Sequence, residues 1–170
     1  MNIGVISDTH GDAAAIRRVV AAVGPVDMWL HAGDYSKDAN ILAALTGLPV
    51  TAVAGNCDGW TTAKIDEFIE VGKKKIWLTH GHRYNARQRV KELAWWGRQF
   101  GVDVVIYGHT HVPEIAEQDG ILIFNPGSPY QPRQGSKPSC GLLEVSEDGT
   151  ISARLITVPK AAEYEINNND

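Results

Sequence analysis

The stretch NIGVISDTHGDAAAIRRVVAAV, residues 2–23, decides how the fold is read. It opens on a strand-like apolar run, NIGVIS. It closes on AAAIRRVVAAV, where Ile16, Val19, Val20 and Val23 recur three and four residues apart, the spacing of an amphipathic helix. Between the two lies a polar turn, SDTHGD, which places Asp8 and His10 just past the strand.

The alternation continues outward from there. DMWLHA (27–32) reads as a strand, DANILAALT (38–46) as a helix and LPVTAVA (48–54) as a strand. A βαβαβ order predicts a parallel sheet with crossover helices. The second half is richer in strand. IDEFIEVG (65–72) and KKIWLTH (74–80) form a predicted hairpin across GKK. ARQRVKELAWWGRQFG (86–101) is an amphipathic helix with Ala86, Val90, Leu93, Ala94 and Gly97 on one face and Gly101 as its stop. VDVVIYG (102–108) follows, then PEIAEQ (113–118) and GILIFN (120–125) across one DG turn. CGLLEVS (140–146) and TISARLITV (150–158) flank another, and these last segments read as antiparallel. The expected architecture is an α/β sandwich of two mixed sheets face to face, with helices outside. One domain is expected over residues 1–160, followed by a polar tail, 161–170, expected to fray.

The chain has 170 residues, enough for one sizeable core. Its net charge of −4 offers no basic face for nucleic acid. Cys57 and Cys140 are far apart and form no CxxC, so neither a disulfide framework nor a cysteine-rich zinc domain is indicated. No signal segment and no apolar run of membrane-spanning length is visible. The expectation is a soluble, cytoplasmic protein.

The polar residues collect after the apolar strands. SDTHGD supplies Asp8 and His10, GDY supplies Asp34, and GNCD supplies Asn56 and Asp58. HGH supplies His80 and His82, and GHTH supplies His109 and His111. Loops at the carboxyl ends of strands in open α/β sheets converge on one crevice. Each of these loops carries a glycine, at 11, 33, 55, 81 and 108, which relieves a tight turn or lets the backbone approach closely. Any one Asp or His reads equally well as a turn residue. Five such loops in succession point to divalent metal, which favours this mixture of carboxylate, imidazole and carbonyl oxygen. The inventory exceeds one tetrahedral ion and suits a pair about 3.5–4 Å apart.

The segments SDTHG (7–11), HAGD (31–34), AGNCD (54–58), THGH (79–82), GHTH (108–111) and NPGS (125–128) resemble, in order, those of the calcineurin-like metallophosphoesterases. The short chain, GNCD, and NPGS followed by Pro132–Arg133 are most similar to the small prokaryotic phosphodiesterase subfamily, which is related to the small retromer subunit. The resemblance implies a four-layer αββα fold and two divalent ions, with Mn2+ as first expectation and Fe, Zn, Ni or Co as alternatives. It implies that Asp8, His10 and His111 bind one ion, that Asp34 bridges, and that Asn56, His80 and His109 hold the other. It further implies hydrolysis of a small phosphoester by attack of a metal-bridging hydroxide, which Asp34 would fix while Asn56 donates to substrate.

Two positions depart from the family pattern. Many members have GNH, whose histidine assists the leaving group, where this chain has Cys57. Many have GDxxD, whose second aspartate orients that histidine, where this chain has Lys37 with Asp38 one residue late. A phosphodiester needs less leaving-group protonation than an alkyl monoester, so a diesterase is expected before a monoesterase. The rival of another class is a non-enzymatic protein-binding scaffold, the role the retromer relative implies. A cysteine hydrolase built on Cys57 would leave the other four loops unexplained.

The remaining polar residues carry weaker signals. His82 is a candidate proton donor lining the crevice. His31 reads as a supporting residue donating to a carbonyl, and Asp58 as a loop-orienting or turn-capping carboxylate. Arg133 is a candidate substrate contact, whereas Arg83, Arg87 and Arg89 read as a solvated face. Trp60 reads equally as a wall of the crevice or a rim aromatic. Adjacent Trp95 and Trp96 cannot share one core face, which leaves room for a homo-oligomer without specifying one.

Overall fold

In a computed structural model of the chain, residues 1–85 and 90–160 are described. β1 (Asn2–Ile6) alternates its side chains between two buried environments. Ile3 and Val5 enter a core that lies between two sheets, while Ile6 enters a second core under the helices. Period-two alternation with both faces apolar is what covering a sheet on both sides requires.

The polar turn after β1 starts the first helix, α1 (Ala13–Val23), through Asp12, whose side chain accepts from the Ala15 N–H at 2.9 Å. Ile16, Val19 and Val23 face the sheet, as their spacing predicts. β2 (Met28–His31), α2 (Ala39–Thr46) and β3 (Val50–Ala52) complete the βαβαβ half, and β2 pairs in parallel with both β1 and β3. A single 3-10 turn, Ser36–Asp38, precedes α2, so that helix is shorter than the sequence pattern.

The second half contains β4 (Asp66–Val71), β5 (Lys74–Thr79), the described helix α3 (Val90–Phe100), β6 (Val104–Ile106), β7 (Glu114–Gln118) and β8 (Ile121–Asn125). β9 (Ser139–Val145) and β10 (Ile151–Thr157) return to the first sheet. The two five-stranded sheets have the orders β10-β9-β1-β2-β3 and β4-β5-β6-β8-β7, and both mix parallel and antiparallel pairs. Residues 86–89, which include Ala86, Arg87 and Arg89, lie outside the described residues, as does the tail 161–170.

Three apolar clusters make four layers. Ile3, Val5 and Leu30 of one sheet meet Ile76, Leu78, Ile106 and Phe124 of the other. Trp29, Leu142 and Ile156 pack under α1 and α2. Trp77, Val105 and Ile123 pack under Leu93 and Ala94 of α3. The αββα expectation is met. Trp95 is 53% exposed whereas Trp96 packs against the α3 cluster, so only one of the two joins that core although their rings meet edge to face at 4.8 Å. Both cysteines are free thiols, and no described helix is long and apolar enough to cross a membrane.

Candidate metal centre

The carboxyl ends of β1, β2, β5 and β6 meet where the two sheets face each other. Five of the residues delivered there have a left-handed backbone: Asp8 (φ 54°), His10 (φ 47°), Asp34 (φ 57°), His109 (φ 66°) and His111 (φ 60°). That conformation costs a non-glycine residue roughly 1 kcal/mol or more, and such costs gather where function over-determines the backbone. Two glycines make the approach close enough. A Cβ on Gly55 would lie 2.1 Å from Asp34 Oδ1, and one on Gly108 would lie 1.9 Å from Ser7 Oγ.

Asp8 is fully buried. Its Oδ2 accepts from Ser7 Oγ at 2.7 Å and from the His109 N–H at 3.0 Å. Its Oδ1 accepts no hydrogen bond, yet lies 3.1 Å from His111 Nε2. His111 Nδ1 lies 2.6 Å from the Gln131 carbonyl, to which it donates. Nε2 is therefore the free nitrogen, and it lies 3.3 Å from His10 Nε2. Asp8, His10, Asp34 and His111 each turn a ligand atom to one small volume, all within 4.8 Å of one another. Three of these pairs, 3.1 Å for Asp8–His111, 3.3 Å for His10–His111 and 3.7 Å for His10–Asp34, are spaced as ligands about 2.0–2.2 Å from a shared divalent ion would be. The orphaned Asp8 oxygen and the free His111 nitrogen fit a metal ion there.

A second group adjoins the first. His80 Nδ1 lies 2.7 Å from the Ala32 carbonyl, so its Nε2 is the nitrogen presented to the site, 3.2 Å from Asp34 Oδ1 and 3.1 Å from Asn56 Oδ1. The His109 ring lies 5.2 Å from that of His80. Asp34 Oδ2 faces the other way, 3.7 Å from His10 Nε2. Burial would raise the Asp34 carboxyl. The His80 hydrogen bond and charge, with the Cys57 N–H, instead hold it well below the usual carboxylate range. Burial would likewise lower the His80 imidazole, but Asp34, Asp8 and the Ala32 carbonyl raise it. The pocket favours positive charge between Asp34 and Asn56.

The supporting residues are mostly buried. Asp58 receives the Ser36 N–H and hydroxyl and the Gly55 N–H, tying the β2 and β3 loops together. His31 does not donate to a carbonyl, contrary to expectation. Its Nδ1 accepts from the Gly33 N–H at 3.2 Å, leaving Nε2–H for Thr9 Oγ1 at 2.9 Å. Thr9 in turn donates to Asp38, which also receives the Gly11 N–H. Asp38 is thus committed to the β1 loop rather than to orienting a group at position 57. Burial lowers the His31 imidazole despite Asp38.

NPGS braces the same loops. Ser128 Oγ donates to the Asp8 carbonyl, and Asn125 donates to the Gly108 carbonyl. The motif alone gives Asn125 and Ser128 no role; the signal in the sequence is an Asn and a Ser closing the apolar run GILIF. Arg133 is exposed and contributes its backbone N–H to the His111 carbonyl. His82 is half-buried, 5.4 Å from the His80 ring and 6.2 Å from that of His109. Burial, then His80 and Arg83, lower its imidazole. The exposed Cys57 thiol is pushed up to about 11, by burial and then by Asp34. It is not an activated nucleophile.

A buried carboxylate–imidazole cluster at the strand ends of a four-layer sandwich is the apparatus of a metal-dependent hydrolase domain. Residues 1–148 match the calcineurin-like phosphoesterase superfamily domain, and the chain belongs to that family. A probable metallophosphoesterase of Methanocaldococcus jannaschii is 38% identical over 162 residues, covering 93% of this chain and 82% of that protein. A phosphodiesterase of the same organism is 32% identical over 165 residues, covering 86% and 95%. The zinc complex of Vps29 from Entamoeba histolytica superposes with a TM-score of 0.73 at 27% identity, covering 91% of this chain and 98% of that one.

Proposed function

We propose that the protein is a dinuclear-metal phosphoesterase acting on phosphodiesters. Asp8, His10 and His111 would hold one ion, Asn56, His80 and His109 the other, and Asp34 both. The observation that carries this reading is the division of one carboxyl between two imidazoles, Oδ1 towards His80 and Oδ2 towards His10. When bound, the two ions would supply a water of lowered pKa and neutralise phosphoryl charge.

The chain's own groups do the rest. The Ala32 and Gln131 carbonyls lock the tautomers of His80 and His111, so both Nε2 atoms are preset as ligands. Asn56 turns its oxygen inward and leaves its NH2 group, now 3.4 Å from Cys57 Sγ, available to a phosphoryl oxygen. Its neutrality keeps the centre net positive towards an anionic ester. His82 stands beside the second group as a candidate proton donor. The absence of an oriented imidazole at position 57 favours diesters, as does the phosphodiesterase relative.

The test is metal analysis of the isolated protein together with hydrolysis of bis(p-nitrophenyl) phosphate and p-nitrophenyl phosphate in each divalent metal. Two ions per chain and faster diester cleavage are expected. Stoichiometric metal without cleavage of either ester would instead establish the scaffold reading, which the similarity to Vps29 supports.

A further inference from the structure

We propose that the cleft beside the metal centre is a nucleoside subsite in which Trp60 stacks on the base of a nucleoside phosphoester. The subsite presupposes the metal-centre reading and adds to it a substrate class.

The cleft, about 260 Å³, lies between the turn carrying Tyr35 and Lys37 and the loop from Cys57 to Thr61. A second hollow of about 310 Å³ shares the Ser36, Lys37, Trp60 and Thr61 wall. Each approaches the size of a small-ligand site. Two residues that line the cleft adjoin the metal centre. The Cys57 N–H donates to Asp34 Oδ1 at 2.8 Å, and the Tyr35 ring lies 5.6 Å from that of His10.

Trp60 is 95% exposed. An indole that contributes nothing to a core has its apolar face available to a ligand. The loop that presents it is braced. Asp58 bonds Gly55 and Ser36, Ser36 Oγ lies 3.0 Å from Thr61 Oγ1, and Ala54 N–H donates to the Lys64 carbonyl at 2.7 Å. These bonds fix both oxygens of the Asp58 carboxylate in the loop. Lys37 lines the same cleft, its ammonium standing 5.3 Å from the Tyr35 ring centre. An aromatic plate beside a site that holds a phosphoryl group suits an ester with a flat substituent. Stacking of this kind tolerates any base, because every base has a π face.

The test is calorimetric binding to the Mn2+-loaded full chain, comparing adenosine 5′-monophosphate, ribose 5-phosphate and inorganic phosphate. Base stacking lost on alanine substitution corresponds to roughly a 5- to 150-fold change in Kd. Adenosine monophosphate is expected to bind tighter than ribose 5-phosphate by a factor in that range. Trp60→Ala should abolish the preference and Trp60→Phe should keep part of it, with phosphate affinity unchanged in both. Equal binding of the two sugar phosphates, or a preference that survives Trp60→Ala, overturns the subsite while leaving the metal centre intact. Failure of inorganic phosphate to bind the loaded protein overturns the metal-centre reading itself, and the subsite with it.

Discussion

Asp34 and His80 face each other at 3.2 Å across the seam between the sheets, one delivered by β2 and the other by β5. Neither sheet alone contains the pair. Their contact makes the centre a property of how the sheets stack.

Replacement of Asp34 by alanine removes the carboxyl that both ligand groups share. On the proposed dinuclear reading, metal content should fall from two ions per chain to at most one. Changes even to outer-shell partners cost about 10- to 100-fold in affinity or activity, and this loss should exceed that range. Mass-spectrometric metal analysis alongside diester turnover checks it. Full activity in metal-free Asp34→Ala would refute the assignment.

Gly55→Ala should damage the centre without touching a ligand. The new Cβ would lie 2.1 Å from Asp34 Oδ1 and 2.4 Å from its backbone nitrogen, so the β2 turn must move. Over-packing of this kind costs about 1–3 kcal/mol. Weakened metal binding with native far-ultraviolet circular dichroism is the expected result.

Asp38→Ala should destabilise the fold through the β1 loop. It leaves the buried Thr9 hydroxyl and the Gly11 N–H without their acceptor. The cost is about 1–3 kcal/mol, or a fall in Tm on the order of 3–10 °C for a chain of this size. Thermal melting in excess chelator separates this from lost metal.

The lowered His31 imidazole makes stability depend on pH. The group is held neutral in the fold, so below about pH 6.5 the unfolded chain binds the additional proton. Its contribution is therefore fully present above that pH and declines as pH falls beneath it. His80, raised in the metal-free fold, acts with the opposite sign. The difference between wild type and His31→Asn isolates the first effect. Urea midpoints in chelator at pH 7.5 and 5.5 should converge as pH falls; a constant gap contradicts the account.

Cys57→His places an imidazole acid at an exposed position where the thiol, pushed up to about 11, is a weak donor. Cleavage of p-nitrophenyl phosphate relative to the diester should rise, by about tenfold or more if the imidazole protonates the leaving oxygen. Because Asp38 is occupied by Thr9 and Gly11, the full gain should need a carboxylate supplied nearby, as in Lys37→Asp with Cys57→His. An unchanged ratio in both variants would remove position 57 as the determinant of ester class.

The sequence by itself determined the elements and the inventory of the site. Periodicity depends on neighbours along the chain, so α1 falls on Ala13–Val23 and the DG turns join antiparallel strands as read. Glycine beside each Asp or His was legible for the same local reason. Tertiary structure decided which groups meet. Nothing in the spacing says that His31 accepts from the Gly33 N–H and donates its Nε2–H to Thr9, or that Asp38 secures the β1 loop. Nor does it say that one oxygen of Asp8 is left bare beside His111, 103 positions along the chain. Those relations arise only when two sheets bury a common apolar face and bring their strand ends into one volume. There each polar atom must find a partner within about 3 Å or remain open to an ion.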